Sequence, residues 1–173
     1  MKKKELNKVR SQIIRCNKCR LSKTRTHAVP GEGPLNAKIM FIGQAPGKEE
    51  DRRGRPFVGR AGQFLNKLLE KNKIERKKVF ITSCVKCFPP KNRIPKKSEL
   101  EACWPYLLKQ IELINPKIVV LMGNIAQRYK NKKILKNRNV IKTYHPAAGM
   151  RFPKIKKQMT ADFRKLKQTL SKL

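Results

Sequence analysis

Acidic side chains are scarce in this sequence: 11 Asp+Glu stand against 44 Lys+Arg in 173 residues, a formal charge of +33. The shortage of Glu excludes heat adaptation as the whole cause, because thermophile surfaces enrich Glu alongside Lys. A low-GC coding bias that writes lysine on solvated faces accounts for part of the excess. The remainder points to a polyanion, nucleic acid, bound by neutralising phosphates and releasing counterions.

Long apolar runs are missing too. The longest, Ile118–Met122, is far too short to span a bilayer. Met1–Glu5 is basic, but Leu6–Ile14 is amphipathic rather than continuously apolar, so no signal peptide is read there. No basic amphipathic segment stands apart from the folded chain, which weakens a membrane-surface role. No internal repeat or separable domain appears. The chain reads as one domain over 1–173, long enough to bury a core, in a reducing cytoplasm. Its five cysteines are therefore read as metal ligands or thiols before disulfides.

The stretch that is present, and around which the rest is arranged, is Ile39–Asn66. An apolar run (Ile39, Met40, Phe41, Ile42) reads as a buried strand. A Gly/Pro turn follows, then Glu49, Glu50 and Asp51, three acids in a row in a chain almost without them. Next comes Gly54-Arg55-Pro56-Phe57-Val58-Gly59, a rigid loop presenting one aromatic, and a helix from about Ala61. Open α/β sheets place their ligands where a strand runs into such a loop at its carboxyl end.

Periodicity extends the pattern. Residues 4–15 read as a helix, Lys38–Ile42 as the first strand, and Ala61–Lys71 as a helix with Phe64, Leu65, Leu68 and Leu69 buried. Lys78–Ser83 reads as the second strand. Ser98 with Glu101 reads as a capping box opening a helix that Pro105 kinks or restarts and that ends near Asn115-Pro116. Lys117–Met122 and Val140–Tyr144 read as the third and fourth strands, with a short helix Ile125–Tyr129 and a lysine-rich mobile loop at 130–138 between them. Thr160 is expected to cap a last helix carrying Phe163, Leu166, Leu170 and Leu173. Alternating helices and strands with long crossovers predict a parallel sheet covered on both sides. Gly43, Ser83, Gly123 and His145 then begin the loops along one sheet edge and make one cleft.

Cysteine spacing offers two ligand sets. Cys16-x2-Cys19 with Cys84-x2-Cys87 is a paired metal motif that leaves Cys103 spare; Cys16, Cys19, Cys87 and Cys103 leave Cys84 out. Spacing decides neither between these sets nor between zinc and an iron–sulfur cluster, since four thiolates serve both.

The segments GQAPGKEED, GRPFVGRAGQFLN, FITSCVKCFPPKNR, CWPYL and TYHPAA, in this order between about Cys16 and Ala148, resemble the type 4 uracil-DNA glycosylases. These are iron–sulfur enzymes of the uracil-DNA glycosylase superfamily. The resemblance implies a three-layer α/β/α sandwich around a four-stranded parallel sheet. It implies hydrolysis of the N-glycosidic bond of deoxyuridine in DNA, releasing uracil and leaving an abasic site without lyase chemistry. It also implies a [4Fe-4S] cluster on Cys16, Cys19, Cys87 and Cys103, structural in role, tying the N-terminal helix into the domain.

The resemblance carries site residues as well. Phe57 is expected to stack on the flipped uracil. Gly43, Gln44 and Ala45 offer backbone and amide groups to the base edge. His145 resembles the histidine that bonds uracil O2 as negative charge develops there. Glu50 is the carboxylate best placed to orient or activate water. Residues 146–152 resemble a wedge loop in which Met150 and Arg151 fill the gap left by the base.

Two positions depart from the family pattern. Ser83 stands where Asn is usual, and a rotating hydroxyl discriminates the uracil edge less strictly than an amide. Gln44 stands where Glu is commoner. The first departure keeps open a shifted base range, hypoxanthine for example, and a non-catalytic iron–sulfur DNA-binding module is the rival from another class. The expected partner is uracil-containing DNA, bound by a monomer in a prokaryotic cytoplasm, with no membrane and no sliding-clamp contact evident.

Overall fold

The computed structural model describes residues 1–173. Four short runs form its sheet: β1 (Ile39–Gly43), β2 (Phe80–Ser83), β3 (Ile118–Met122) and β4 (Asn139–Thr143). All pair in parallel, in the order β2-β1-β3-β4. Every residue of β1, β2 and β3 is buried, as strands covered on both faces require, while edge strand β4 keeps Lys142 in water.

Strand alternation sorts the core into two layers. Met40, Ile42, Val119 and Leu121 pack toward α1 (Lys2–Ile14) and α4 (Lys97–Ile114). Ile39, Phe41, Ile81 and Val120 pack toward α3 (Arg60–Lys71) and α7 (Pro153–Ser171). Short helices α2 (Lys48–Arg53), α5 (Asn124–Gln127) and α6 (Pro146–Arg151) follow β1, β3 and β4. This is the expected three-layer α/β/α sandwich on a four-stranded parallel sheet. No helix is long and apolar enough to cross a membrane.

The structure departs from the sequence reading at several element ends. Residues 76–78 form a 3-10 turn, so β2 starts at Phe80 rather than Lys78. Glu99, not Glu101, closes the start of α4: its carboxylate accepts the Lys96 N–H at 2.8 Å and both Arg93 guanidinium nitrogens at 2.9 and 2.6 Å. Ser98 lies within the first turn. Pro105 neither ends nor restarts α4, because Cys103, Leu107 and Ile111 hold that helix to the sheet on both sides of it. Thr160 is no cap; its hydroxyl donates to the Lys156 carbonyl inside a helix that already began at Pro153. The 130–138 stretch contains a 3-10 turn, Lys133–Leu135, that buries Leu135 in the core.

Candidate active site

The chain leaves β1 toward β2 on one side and reaches β3 on the other, so the loops diverge at the carboxyl edge and open a crevice. Gly43 and Ser83 are register partners there, which sets two loops side by side. A cavity of about 270 Å³ occupies this edge. Gln44, Ala45, Glu50, Phe57, Ser83 and His145 line it, together with Val29 and Asn92. Gly43 stands behind Phe57: a Cβ on it would fall 2.7 Å from the ring.

Phe57 is held in an uncommon conformation. Its φ is 48°, a left-handed value that a bulky side chain adopts only when its surroundings impose it. Arg76 supplies part of that constraint, donating to the Phe57 carbonyl at 3.0 Å and the Pro56 carbonyl at 2.7 Å. The same guanidinium bonds Asn66 and Glu32, and Glu32 also takes Arg55. Gly62 permits the fold of the loop, since a Cβ there would lie 1.9 Å from the Phe57 oxygen. The Phe57 ring sits 5.8 Å from the His145 imidazole, with the planes inclined by 31°.

The three consecutive acids have three separate tasks. Glu49 is exposed and pairs with Arg52 and Arg53. Asp51 is buried and accepts the backbone N–H groups of Thr26, at 2.8 Å, and His27, at 3.3 Å. Glu50 alone lines the cavity; its Oε1 accepts the Val58 and Gly59 N–H groups, each at 3.0 Å. It therefore anchors the Phe57 loop and leaves Oε2 without a protein donor.

His145 is the N-cap of α6, and its Nδ1 accepts the Ala147 N–H at 3.1 Å. Nδ1 cannot both accept that bond and carry a proton, so the proton sits on Nε2. Burial lowers the imidazole pKa from its ordinary 6.5, with the Glu50 carboxylate pulling weakly the other way. The cavity thus meets a neutral imidazole whose Nε2–H is a donor.

Residues 146–152, expected as a loop, hold helix α6 at 146–151, because His145 caps it and Pro146 fits its first position. Met150 and Phe152 are 40% and 50% exposed, and Arg151 is exposed as well. Gly149 lets α6 close on its neighbours, since a Cβ there would meet the Met159 sulfur at 2.6 Å and the Phe64 ring at 2.8 Å.

Sequence reasoning missed Asn92 and Arg76. Asn92 lines the cavity at φ 56°, directly after Lys91 at the same φ. The signal was available in Pro89-Pro90-Lys91-Asn92, a turn ending in a residue tolerant of left-handed backbone. Arg76 gave no such signal, being one of 44 cations.

Cys84, Cys87 and Cys103 are buried, and Cys16 and Cys19 are half-buried. Cys87 lies within electrostatic reach of Cys16 and Cys19, and Cys103 within reach of Cys87 and Cys19. Hydrogen-bond donors aim at two of these sulfurs: Arg25 at Cys87 Sγ (3.2 Å) and Lys18 N–H at Cys16 Sγ (3.5 Å). Such donors suit sulfurs that carry negative charge in an anionic cluster. No three Cys, His, Asp or Glu side chains converge closely enough to hold one ion between them. Cys84, Cys87 and Cys103 share the core layer of α4, and burial pushes up all three thiols, Cys84 to about 12 and Cys103 to about 11.

Comparison with known proteins shows the family of the chain. Residues 30–170 match the family model described as the Uracil DNA glycosylase superfamily. The type-4 uracil-DNA glycosylase of Sulfurisphaera tokodaii is 42% identical over 94% of this chain and 84% of its own. That of Saccharolobus solfataricus is 43% identical over 96% and 87%, and that of Thermotoga maritima 42% identical over 83% and 82%.

Proposed function

Because the chain belongs to the uracil-DNA glycosylase superfamily, and within it to the type-4 uracil-DNA glycosylases, we propose that it removes uracil from DNA by hydrolysing the N-glycosidic bond of deoxyuridine. Water adds to the sugar C1′, the C1′–N1 bond breaks, and its electron pair leaves with the uracil ring. The product is free uracil and an abasic site, the first step of base excision repair.

The observation that carries this reading is the convergence of a neutral His145, an aromatic Phe57 and the carboxylate of Glu50 on one cavity. A base reaches it only when flipped from the stack, and Phe57 offers a replacement stacking partner. The Nε2–H of His145 then donates to uracil O2 and stabilises the charge that grows as the bond breaks. A neutral donor does this while keeping its own proton. Glu50, through Oε2, holds the attacking water and stabilises positive charge developing on the sugar. One carboxylate suffices because the uracil anion is a better leaving group than a sugar alkoxide. Gly43, Gln44, Ala45 and Ser83 read the base edge. Met150 and Arg151 on α6 occupy the space the base vacates, and the lysine- and arginine-rich surface holds the phosphates.

Cys16, Cys19, Cys87 and Cys103 are the residues that would hold a [4Fe-4S] cluster. Its contribution is structural, tying the segment after α1 to the loop after β2 and to α4. No specific observation favours hypoxanthine release or a non-catalytic role.

The test is base release in single turnover from oligonucleotides carrying U, T, C or hypoxanthine, paired and single-stranded. Release of uracil alone, lost in His145→Ala, is the expected result; no release from any substrate overturns the reading.

A further inference from the structure

Lys86 is 1% exposed, yet no carboxylate pairs with it. Its Nζ donates to Thr82 Oγ1 at 2.5 Å, the Ser83 carbonyl at 2.8 Å and Gln110 Oε1 at 2.8 Å, so three donors meet three neutral acceptors. A buried cation with neutral partners only is costly unless negative charge stands nearby. The groups near this one are the Cys84, Cys87 and Cys103 thiols. Two of those belong to the set proposed to bind the cluster.

One of the three acceptors belongs to the cavity wall, and the other two brace a segment next to it. Ser83 lines the cavity and is gripped through its carbonyl. Thr82 Oγ1 and Gln110 Nε2 both donate to the Pro30 carbonyl, at 3.1 and 2.7 Å. Val29, another lining residue, donates its N–H to the Lys86 carbonyl at 2.7 Å. Lys86 directly precedes Cys87 in the chain. It therefore adjoins a cysteine while holding two residues of the cavity wall, Ser83 through its ammonium and Val29 through its carbonyl.

We propose that Lys86 is a positioning residue that couples the cysteine cluster to the base pocket: its ammonium balances the cluster's negative charge while fixing Ser83 and the Val29–Pro30 segment. The coupling rests on the uracil reading above and adds to it a dependence of base affinity on the integrity of the cluster. Lys86→Met keeps the length and apolar stem and removes the charge. It leaves the Ser83 carbonyl without its donor, which predicts a half-saturating DNA concentration raised about tenfold with a nearly unchanged maximal rate.

The experiment uses anaerobically purified protein and a single-stranded oligonucleotide containing one deoxyuridine. Wild type and Lys86→Met are compared for concentration dependence of single-turnover release and for the rate at which a chelator strips iron, read by cluster absorbance. Expected are weaker saturation and iron loss several-fold faster in the same variant. A change in only one of the two, or in neither, overturns the coupling. If Lys86→Met does not accumulate, hydrogen exchange of the wild-type chain carries the test. Stripping iron should then accelerate exchange of the Val29 amide and leave the β4 amides unchanged; an unchanged Val29 overturns the proposal. A wild type that releases no uracil sinks the functional reading, whereas an active wild type with an indifferent Lys86→Met sinks only this inference.

Discussion

The backbone N–H of Ala147 points at Nδ1 of His145 from 3.1 Å, and that one bond decides which ring nitrogen carries the proton. Protonating the ring would set N–H against N–H at the start of α6 and place a cation where burial disfavours one. Turnover should therefore be flat from neutral pH upward and fall as pH drops through an imidazole pKa below 6.5. The sign for stability is the same. A group whose pKa is depressed by folding adds stability above its unfolded value and withdraws it as pH falls through the folded one. A single-turnover pH profile checks this; a midpoint above the ordinary histidine value would assign the proton donor wrongly. His145→Ala should lower the rate by about 10²–10³, the usual cost of one preorganised donor to a developing oxyanion.

Glu50 has two separable tasks. Glu50→Gln keeps an oxygen for the Val58 and Gly59 N–H groups and removes only the charge, so the rate should fall while thermal stability barely moves. Glu50→Ala leaves two N–H groups without their acceptor and should cost roughly 1–3 kcal/mol of stability as well. Thermal melts beside the kinetics separate the two. Equal loss of stability in both variants would make Glu50 a loop anchor with no part in the chemistry.

Arg76 helps hold Phe57 in its left-handed backbone, gripping the carbonyls of Pro56 and Phe57 from across the loop. Arg76→Met should free the ring from the His145 face. The expected signature is a raised half-saturating DNA concentration with a smaller effect on maximal rate, and a stability loss of roughly 1–3 kcal/mol. Gly43→Ala should move the same parameter by pushing the ring directly, since its Cβ would meet the ring at 2.7 Å. If both variants saturate like the parent, Phe57 does not hold the base.

Much of this was legible in the sequence, and the reasons differ by feature. β1 and β3 are unbroken apolar runs because helices cover both their faces, so pattern alone finds them. The cleft followed from topology, since parallel strands bring all their carboxyl ends to one edge. Helix α6 escaped notice because its cap is a histidine, outside the usual Ser, Thr, Asp and Asn. The Arg76 clamp and the Lys86 node escaped because they join residues far apart in sequence, among cations too numerous to rank.

The choice between the two cysteine sets was open on spacing because Cys84-x2-Cys87 imitates a ligand pair. Cys84, Cys87 and Cys103 are all buried in one core layer, so mutants are what separate the two sets. Iron content and visible absorbance of anaerobically prepared Cys84→Ala should match the parent, while Cys103→Ser should lose most of its iron. The reverse pattern would restore the paired motif as the ligand set.

Ser83 lines the cavity with one rotatable hydroxyl, and its proposed role at the base edge can be tested by an amide. It is buried at the end of β2, opposite Gly43 in register, and its carbonyl is already taken by Lys86. Only its side chain is therefore available to the base. Ser83→Asn would present a fixed donor and acceptor together, which matches the edge of uracil and opposes that of cytosine. One added hydrogen bond contributes about 1 kcal/mol, so half-saturation should improve by roughly fivefold. Competition by free uracil should tighten by a similar factor, while release from cytosine stays undetectable. Titrating parent and variant with uracil in the same single-turnover assay measures both. An unchanged uracil competition curve would place recognition of the base edge on Gln44 and Asn92, which line the same cavity, rather than on the end of β2.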